Sequence, residues 1–206
     1  LEYAMDTGVN KSFKKALSNK LEKYNKYSGK KVDVKIPDDI AYGDTETLKK
    51  LKIPETVIET SNEDVEKQTF QAMEGFIHNL NTMHSRAGAQ VPFTSINFGT
   101  DTTPAGRLVT KNLLEATDKG LGHGETPIFP ISIFKVKEGV SYNPEDPNYD
   151  LFKRSMEVSS KRLFPNFTII DAPYNLKYYK KGDYNTEIAT MGCRTRVFGS
   201  IFPESD

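Results

Sequence analysis

Between Val91 and Ile170 the chain alternates short apolar runs with amphipathic stretches, and this alternation restricts the fold more than any other property. Val91 to Phe98 reads as a strand. Thr103-Pro104 opens a helix, with threonine outside as the cap and proline in the first turn, where a missing N–H is tolerated. That helix runs to about Lys119 and stops at Gly120 and Gly122. Pro127 to Val136 carries Ile128, Phe129, Ile131, Ile133, Phe134 and Val136 and reads as a buried strand. Asn148 to Leu163 reads as a helix with Leu151, Phe152, Ser155, Met156, Ser159 and Leu163 inward, and Phe167 to Ile170 as the next strand. Strands separated by helices pair in parallel with the helices outside, so the expected class is α/β.

Helices precede this region. Tyr3, Val9, Phe13, Ala16, Leu17, Leu21 and Tyr24 recur at helical spacing from Leu1 to Tyr24, and Ser28-Gly29 ends the pattern. Val32 to Ile36 alternates like a short strand, and a short helix covers Thr45 to Leu51. A longer helix is expected from Glu63 to Ser85, started by Asn62 and stopped by Gly88. Its stripe is Val65, Phe70, Met73, Phe76, Ile77, Leu80, Met83 and His84. Residues 173–187 form a loop rich in tyrosine.

The balance of 28 Lys plus Arg against 28 Asp plus Glu argues against a nucleic-acid partner, which calls for a basic excess or stripe. No apolar run approaches the roughly 20 residues that cross a bilayer, and no signal-peptide pattern opens the chain. A single cysteine excludes an internal disulfide and points to a reducing, cytoplasmic setting. The chain opens at Leu1, already inside a helical pattern, and reads as a piece of a longer protein.

That cysteine, Cys193, follows Gly192 and precedes Arg194 and Arg196. A lone cysteine is most often a small buried hydrophobe, but the flanking glycine and cations suit a thiolate or an anionic substrate better than a core. His78 and His84 lie six apart, about 240° around a helix, which does not suit a shared metal, and His123 stands alone in a glycine loop. No metal site is predicted. Gly120 to Pro127 lacks the Gly-Lys-Ser/Thr of a phosphate loop and sits after a helix rather than after a strand. It reads as a helix stop and turn, with Glu125 and Thr126 beginning a barrel-type strand and framing a pocket as the weaker alternative. Arg86, between the long helix and the first strand, could hold a phosphate, and a surface loop accounts for it nearly as well. No Ser-His-Asp arrangement can be assembled.

Five ordered blocks carry a resemblance to one family. They are Gln71 to Asn97 (with Asn79-Leu80-Asn81-Thr82-Met83-His84-Ser85-Arg86-Ala87-Gly88 at its centre), Gly124 to Ile131, Asp146 to Lys153, Lys161 to Phe167, and Met191-Gly192-Cys193-Arg194-Thr195-Arg196-Val197. Together they closely resemble the anaerobic, class III, glycyl-radical ribonucleoside-triphosphate reductases. Residues 1–60 resemble the family less distinctly.

The resemblance implies part of a ten-stranded α/β barrel, preceded by helices. Residues 1–62 would be a helical segment serving effector binding or dimer formation, and residues 63–206 part of the catalytic barrel. It places Cys193 on a finger loop as the catalytic residue, whose thiyl radical takes the 3′ hydrogen of a bound ribonucleoside triphosphate. Met191 and Thr195 would contact substrate, and Lys14 and Lys15 the phosphates of nucleotide effectors; a solvated lysine face is the competing reading. The family's radical glycine, terminal zinc cysteines, N-terminal activity domain and second upstream cysteine have no counterpart here, so the chain alone is expected not to turn over. A complete enzyme would use a glycyl radical, formate as reductant and a structural zinc outside this segment. Its partners would be a radical-SAM activating enzyme, the remaining reductase segments and a second copy in a homodimer. The alternative is a non-catalytic nucleotide-binding or interaction fragment that keeps the barrel sequence. Other glycyl-radical enzymes, such as acyltransferases, resemble a paired-cysteine loop that is not found here.

Overall fold

The computed structural model of the chain describes residues 1–29, 31–84, 90–192 and 195–197. Helices α1 (Glu2–Tyr27), α2 (Thr45–Lys50) and α3 (Glu55–Thr82) come first. An alternating run follows: β1 (Ser95–Phe98), α4 (Pro104–Lys119), β2 (Ile131–Val136), α5 (Tyr149–Arg162) and β3 (Asn166–Ile169). A hairpin of β4 (Ala189–Met191) and β5 (Thr195–Val197) closes the described chain. Strands β1, β2 and β3 form one parallel sheet in that order, with Phe98 opposite Phe134 and Phe134 opposite Phe167. The fold is therefore mixed α/β with a parallel sheet and helices, as the alternation requires.

Successive strand residues face opposite sides. Phe98, Phe134 and Val136 are buried on one face, where Phe134 stacks on Phe152 of α5 at 5.9 Å between ring centroids. Ser95, Asn97, Ile133, Lys135 and Thr168 share the other face by the pairing register. Helix α4 starts as its sequence predicts. Thr103 Oγ1 accepts the Gly106 N–H at 3.1 Å, with Pro104 in the first turn. Gly106 itself lies so close to Asp101 that an added Cβ would meet the carboxylate oxygen at 2.1 Å.

Helix α3 begins at Glu55, not at Glu63. Its buried stripe includes Ser61 and Thr69, whose hydroxyls return to the carbonyls of Val57 (2.6 Å) and Val65 (2.8 Å). Satisfied in this way, polar side chains extend a stripe that hydrophobicity alone cuts short. The helix passes unbroken through residues 62 and 63. Phe13 and Leu17 of α1, Val65 and Met73 of α3, and Val109 and Leu113 of α4 belong to one core.

Other boundaries also shift. Val32 to Ile36 forms no strand; Asn25 takes a partner strand's place, accepting from Val32 N (2.8 Å) and donating to Val32 O (2.9 Å). Strand β2 starts at Ile131 because Pro127 and Pro130 cannot donate to a ladder. The segment before it is tied to α3 instead, with Asn81 Oδ1 accepting from Ile128 N (2.8 Å) and Phe129 N (3.1 Å). In α5 the inward stripe is Leu151, Ser155 and Val158, while Met156 is exposed. Leu163 is exposed too, lying past the helix end in left-handed backbone (φ 66°).

The start of α1 grips the end of β1. Glu2 is buried, and its Oε1 accepts the amides of Gly99 (2.8 Å), Thr100 (3.0 Å) and Asp101 (3.3 Å). The Leu1 nitrogen donates to the Asn97 carbonyl at 2.8 Å.

Candidate functional site

The hairpin of β4 and β5, whose strands flank Cys193 in the sequence, lies over the polar face of the sheet. Its ladder is short: Ala189 opposes Val197, Thr190 opposes Arg196, and Met191 opposes Thr195. Gly192 takes φ 64°, a left-handed conformation that glycine enters without strain. The two-stranded ladder and the three-stranded sheet are separate, so side chains join them. Asn97, in the middle of β1, accepts the Thr190 N–H at 2.9 Å and donates to the Thr190 carbonyl at 2.8 Å. The Thr190 hydroxyl donates to the same Asn97 oxygen at 3.2 Å, and Ser95 Oγ reaches the Thr190 carbonyl at 3.4 Å. The amide thus offers one donor and one acceptor to a single residue, as a neighbouring strand would.

A second hold comes from β2. Glu187, buried just ahead of β4, receives Lys135 at 3.4 Å and the shorter contact of Lys137. Lys137 also donates to the Tyr179 hydroxyl at 3.1 Å and lies over that ring at 4.7 Å. Burial pushes the Lys137 ammonium down, but the Glu187 and Tyr179 bonds outweigh it, and the group titrates above its usual value. Two cations share one carboxylate, so this face keeps a positive charge.

Between the hairpin and β3 lies a cavity of about 480 Å³, lined by Phe167, Thr168, Ile169, Tyr174, Asn175, Thr190 and Arg196. The Arg196 guanidinium sits over the Tyr174 ring at 4.6 Å. The side chain of Asn175 ties the tyrosine-rich loop to the end of β3 through the Ile169 carbonyl at 2.6 Å. The arrangement offers a cation, an aromatic face and hydroxyls beside the hairpin, a set suited to a polar, anionic ligand.

Met191 and Thr195 pair directly across the ladder and are both exposed at the end nearest the connection. Cys193 and Arg194 lie outside the described residues, as does Arg86. Lys14 and Lys15 are on α1, far along the chain from the hairpin. Lys14 pairs with Asp38, and Lys15 is exposed. His78 is half-buried, while His84 and His123 are exposed. Among the described residues no group of three or more His, Cys, Asp or Glu could hold a metal, and no helix is long and apolar enough to cross a membrane. Glu125 and Thr126 do not begin a strand: Glu125 turns back to accept the His123 N–H at 2.9 Å, closing the glycine turn.

Asn97 ends the first family-resembling block without being singled out there, and Glu187, Lys135 and Lys137 lie outside all five blocks. A signal exists for two of them. Asparagine is poorly suited to strands, so its place between Ile96 and Phe98 requires a partner for its amide. Lys135 interrupts the apolar run from Ile131 to Val136 on the face that the register assigns to Asn97. The partners on the hairpin lie too far along the chain to be read locally.

Comparison with known proteins accords with the five blocks. The family model described as anaerobic ribonucleoside-triphosphate reductase matches residues 4–205. The protein of that name from Enterobacteria phage T4 is 38% identical over 141 residues, covering 68% of this chain and 22% of the relative. That of Haemophilus influenzae is 34% identical over 132 residues (64% of this chain, 18% of the relative), and that of Escherichia coli 28% over 173 residues (84% and 21%). The chain spans about a fifth of the length of these curated relatives. With the family match running over nearly its whole length, the chain belongs to the anaerobic ribonucleoside-triphosphate reductase family.

Proposed function

We propose that this chain supplies the hydrogen-abstracting thiol of an anaerobic ribonucleoside-triphosphate reductase. Cys193 gives its S–H hydrogen atom to a glycyl radical held elsewhere in the protein. The resulting thiyl radical takes the 3′ hydrogen of the bound ribonucleoside triphosphate, and the 2′ hydroxyl then leaves as water. Formate, oxidised to carbon dioxide, supplies the two electrons, and the 3′ hydrogen returns from the cysteine. The observation that carries this reading is the chain's single cysteine, which falls in the Met191 to Val197 block that resembles the family, between two strands that pair as a hairpin fastened over a parallel sheet.

In this reading β1, β2 and β3 are part of a ten-stranded α/β barrel completed by further segments, which would shelter a reactive radical from water and side reactions. Residues 63–206 belong to that barrel, and residues 1–62 to the effector and dimer region. Met191 and Thr195 touch the substrate. Lys14 and Lys15 meet effector phosphates at a homodimer interface. A radical-SAM enzyme activates the assembly in the cytoplasm. The test is Cys193→Ser in the assembled enzyme: deoxynucleotide formation is lost while ribonucleotide binding stays at the wild-type level. Retained reduction would overturn the reading.

A further inference from the structure

We infer that Asn97 is a positioning residue for this reaction, fixing strand β4 of the hairpin on strand β1; the inference rests on the reductase reading above. The hairpin has strands of three residues, and two-stranded ribbons of that size are marginal alone. Among the described residues no backbone ladder joins it to the parallel sheet. Its placement therefore depends on side chains. Thr190, the middle residue of β4, turns its N–H and C=O away from β5, and both go to Asn97 at 2.9 and 2.8 Å. Asn97 is itself held, since its carbonyl accepts the Leu1 nitrogen and the amides just beyond β1 are bound by Glu2. Glu187, between Lys135 and Lys137, restrains only the approach to β4. Asn97 alone among the described residues takes both backbone groups of one hairpin residue. Radical transfer at carbon requires a near-contact geometry, and a displacement of about 1 Å costs roughly 10²-fold in rate.

The experiment compares variants in the assembled, activated reductase. Asn97→Ala is expected to lower kcat by roughly 10²-fold with KM within about threefold of wild type. Amide exchange at Thr190 should speed up by roughly tenfold or more, while exchange in α4 is unchanged. Asn97→Asp keeps the acceptor for the Thr190 amide and loses the donor, so its kcat should fall between the two; it also keeps the test informative if the alanine variant does not fold. Arg154→Ala removes side-chain bonds between α4 and α5, away from both the hairpin and the effector region, and should leave kcat unchanged. Wild-type kcat in Asn97→Ala, or an equal loss in Arg154→Ala, would overturn the inference. Failure of the reductase reading is distinct: Cys193→Ser would then retain reduction whatever Asn97 does, and the inference would fall with it.

Discussion

Single side-chain amides do much of the joining in this fold. Asn25 stands in for a strand beside Val32, Asn81 gathers the segment before β2, and Asn97 holds the hairpin. The buried amide of Asn148 donates to the carbonyls of Gly99 (3.1 Å) and Asp101 (2.9 Å). Each satisfies backbone groups that have no strand partner of their own, at about 1 kcal/mol per bond net, and more where the site is buried, as at Asn148. At the same scale, Gly106→Ala should destabilise the chain by about 1–3 kcal/mol in urea titration. Alanine is the better helix former by about 1 kcal/mol, yet its methyl would collide with Asp101, whose buried side chain also accepts the Thr103 amide. A stabilised variant would show that Asp101 can move. Little of this was legible beforehand. An asparagine in an apolar strand signals a need for a partner, but the pairing of residues 97 and 190 is set by tertiary folding.

Elements were easier to read where chemistry marks their ends. Thr103-Pro104 announces α4 because both residues act locally. The start of α3 is hidden because Ser61 and Thr69 are buried only by virtue of bonds back to their own helix. Strands read too long wherever proline adjoins an apolar run. Helices α4 and α5 are coupled by a charge cluster: Arg154 meets Glu115 at 2.9 Å and Asp118 at 2.7 Å, and Lys161 reaches Asp118 at 3.3 Å. Burial would raise the Asp118 carboxyl, but the bonds to Arg154 and Lys161 win and hold it below its usual value. A carboxyl depressed in the folded state stabilises above its unfolded pKa, about 3.9, and that contribution disappears as pH falls through the folded value. Asp118→Asn should therefore be less stable than wild type at pH 7, with the gap closing below about pH 4. A gap independent of pH would assign the effect to packing instead.

At the scale of the whole molecule, helices α1, α3 and α4 share one core with the sheet, and Phe134 of the central strand is the hub of its aromatic part. Its ring lies 5.7 Å from Phe98, 5.9 Å from Phe152 and 6.3 Å from Phe167. Phe134→Ala should cost about 3–5 kcal/mol, read as a fall in the urea midpoint with one cooperative transition. Two separated transitions would show instead that helices and sheet unfold independently. The α/β class was legible from the alternation because parallel pairing follows from strand–helix–strand order. The placement of the hairpin was not, since it depends on contacts between distant parts of the chain.

The junction at Asn97 has a practical consequence. Its carbonyl accepts from Leu1 and its amide grips Thr190, so the start of α1 and the ribbon of β4 and β5 hang from the main chain and the side chain of one residue. A change at the start of α1 would loosen this peg before it loosened the helix, and damage would surface first in the ribbon rather than in the element that was altered.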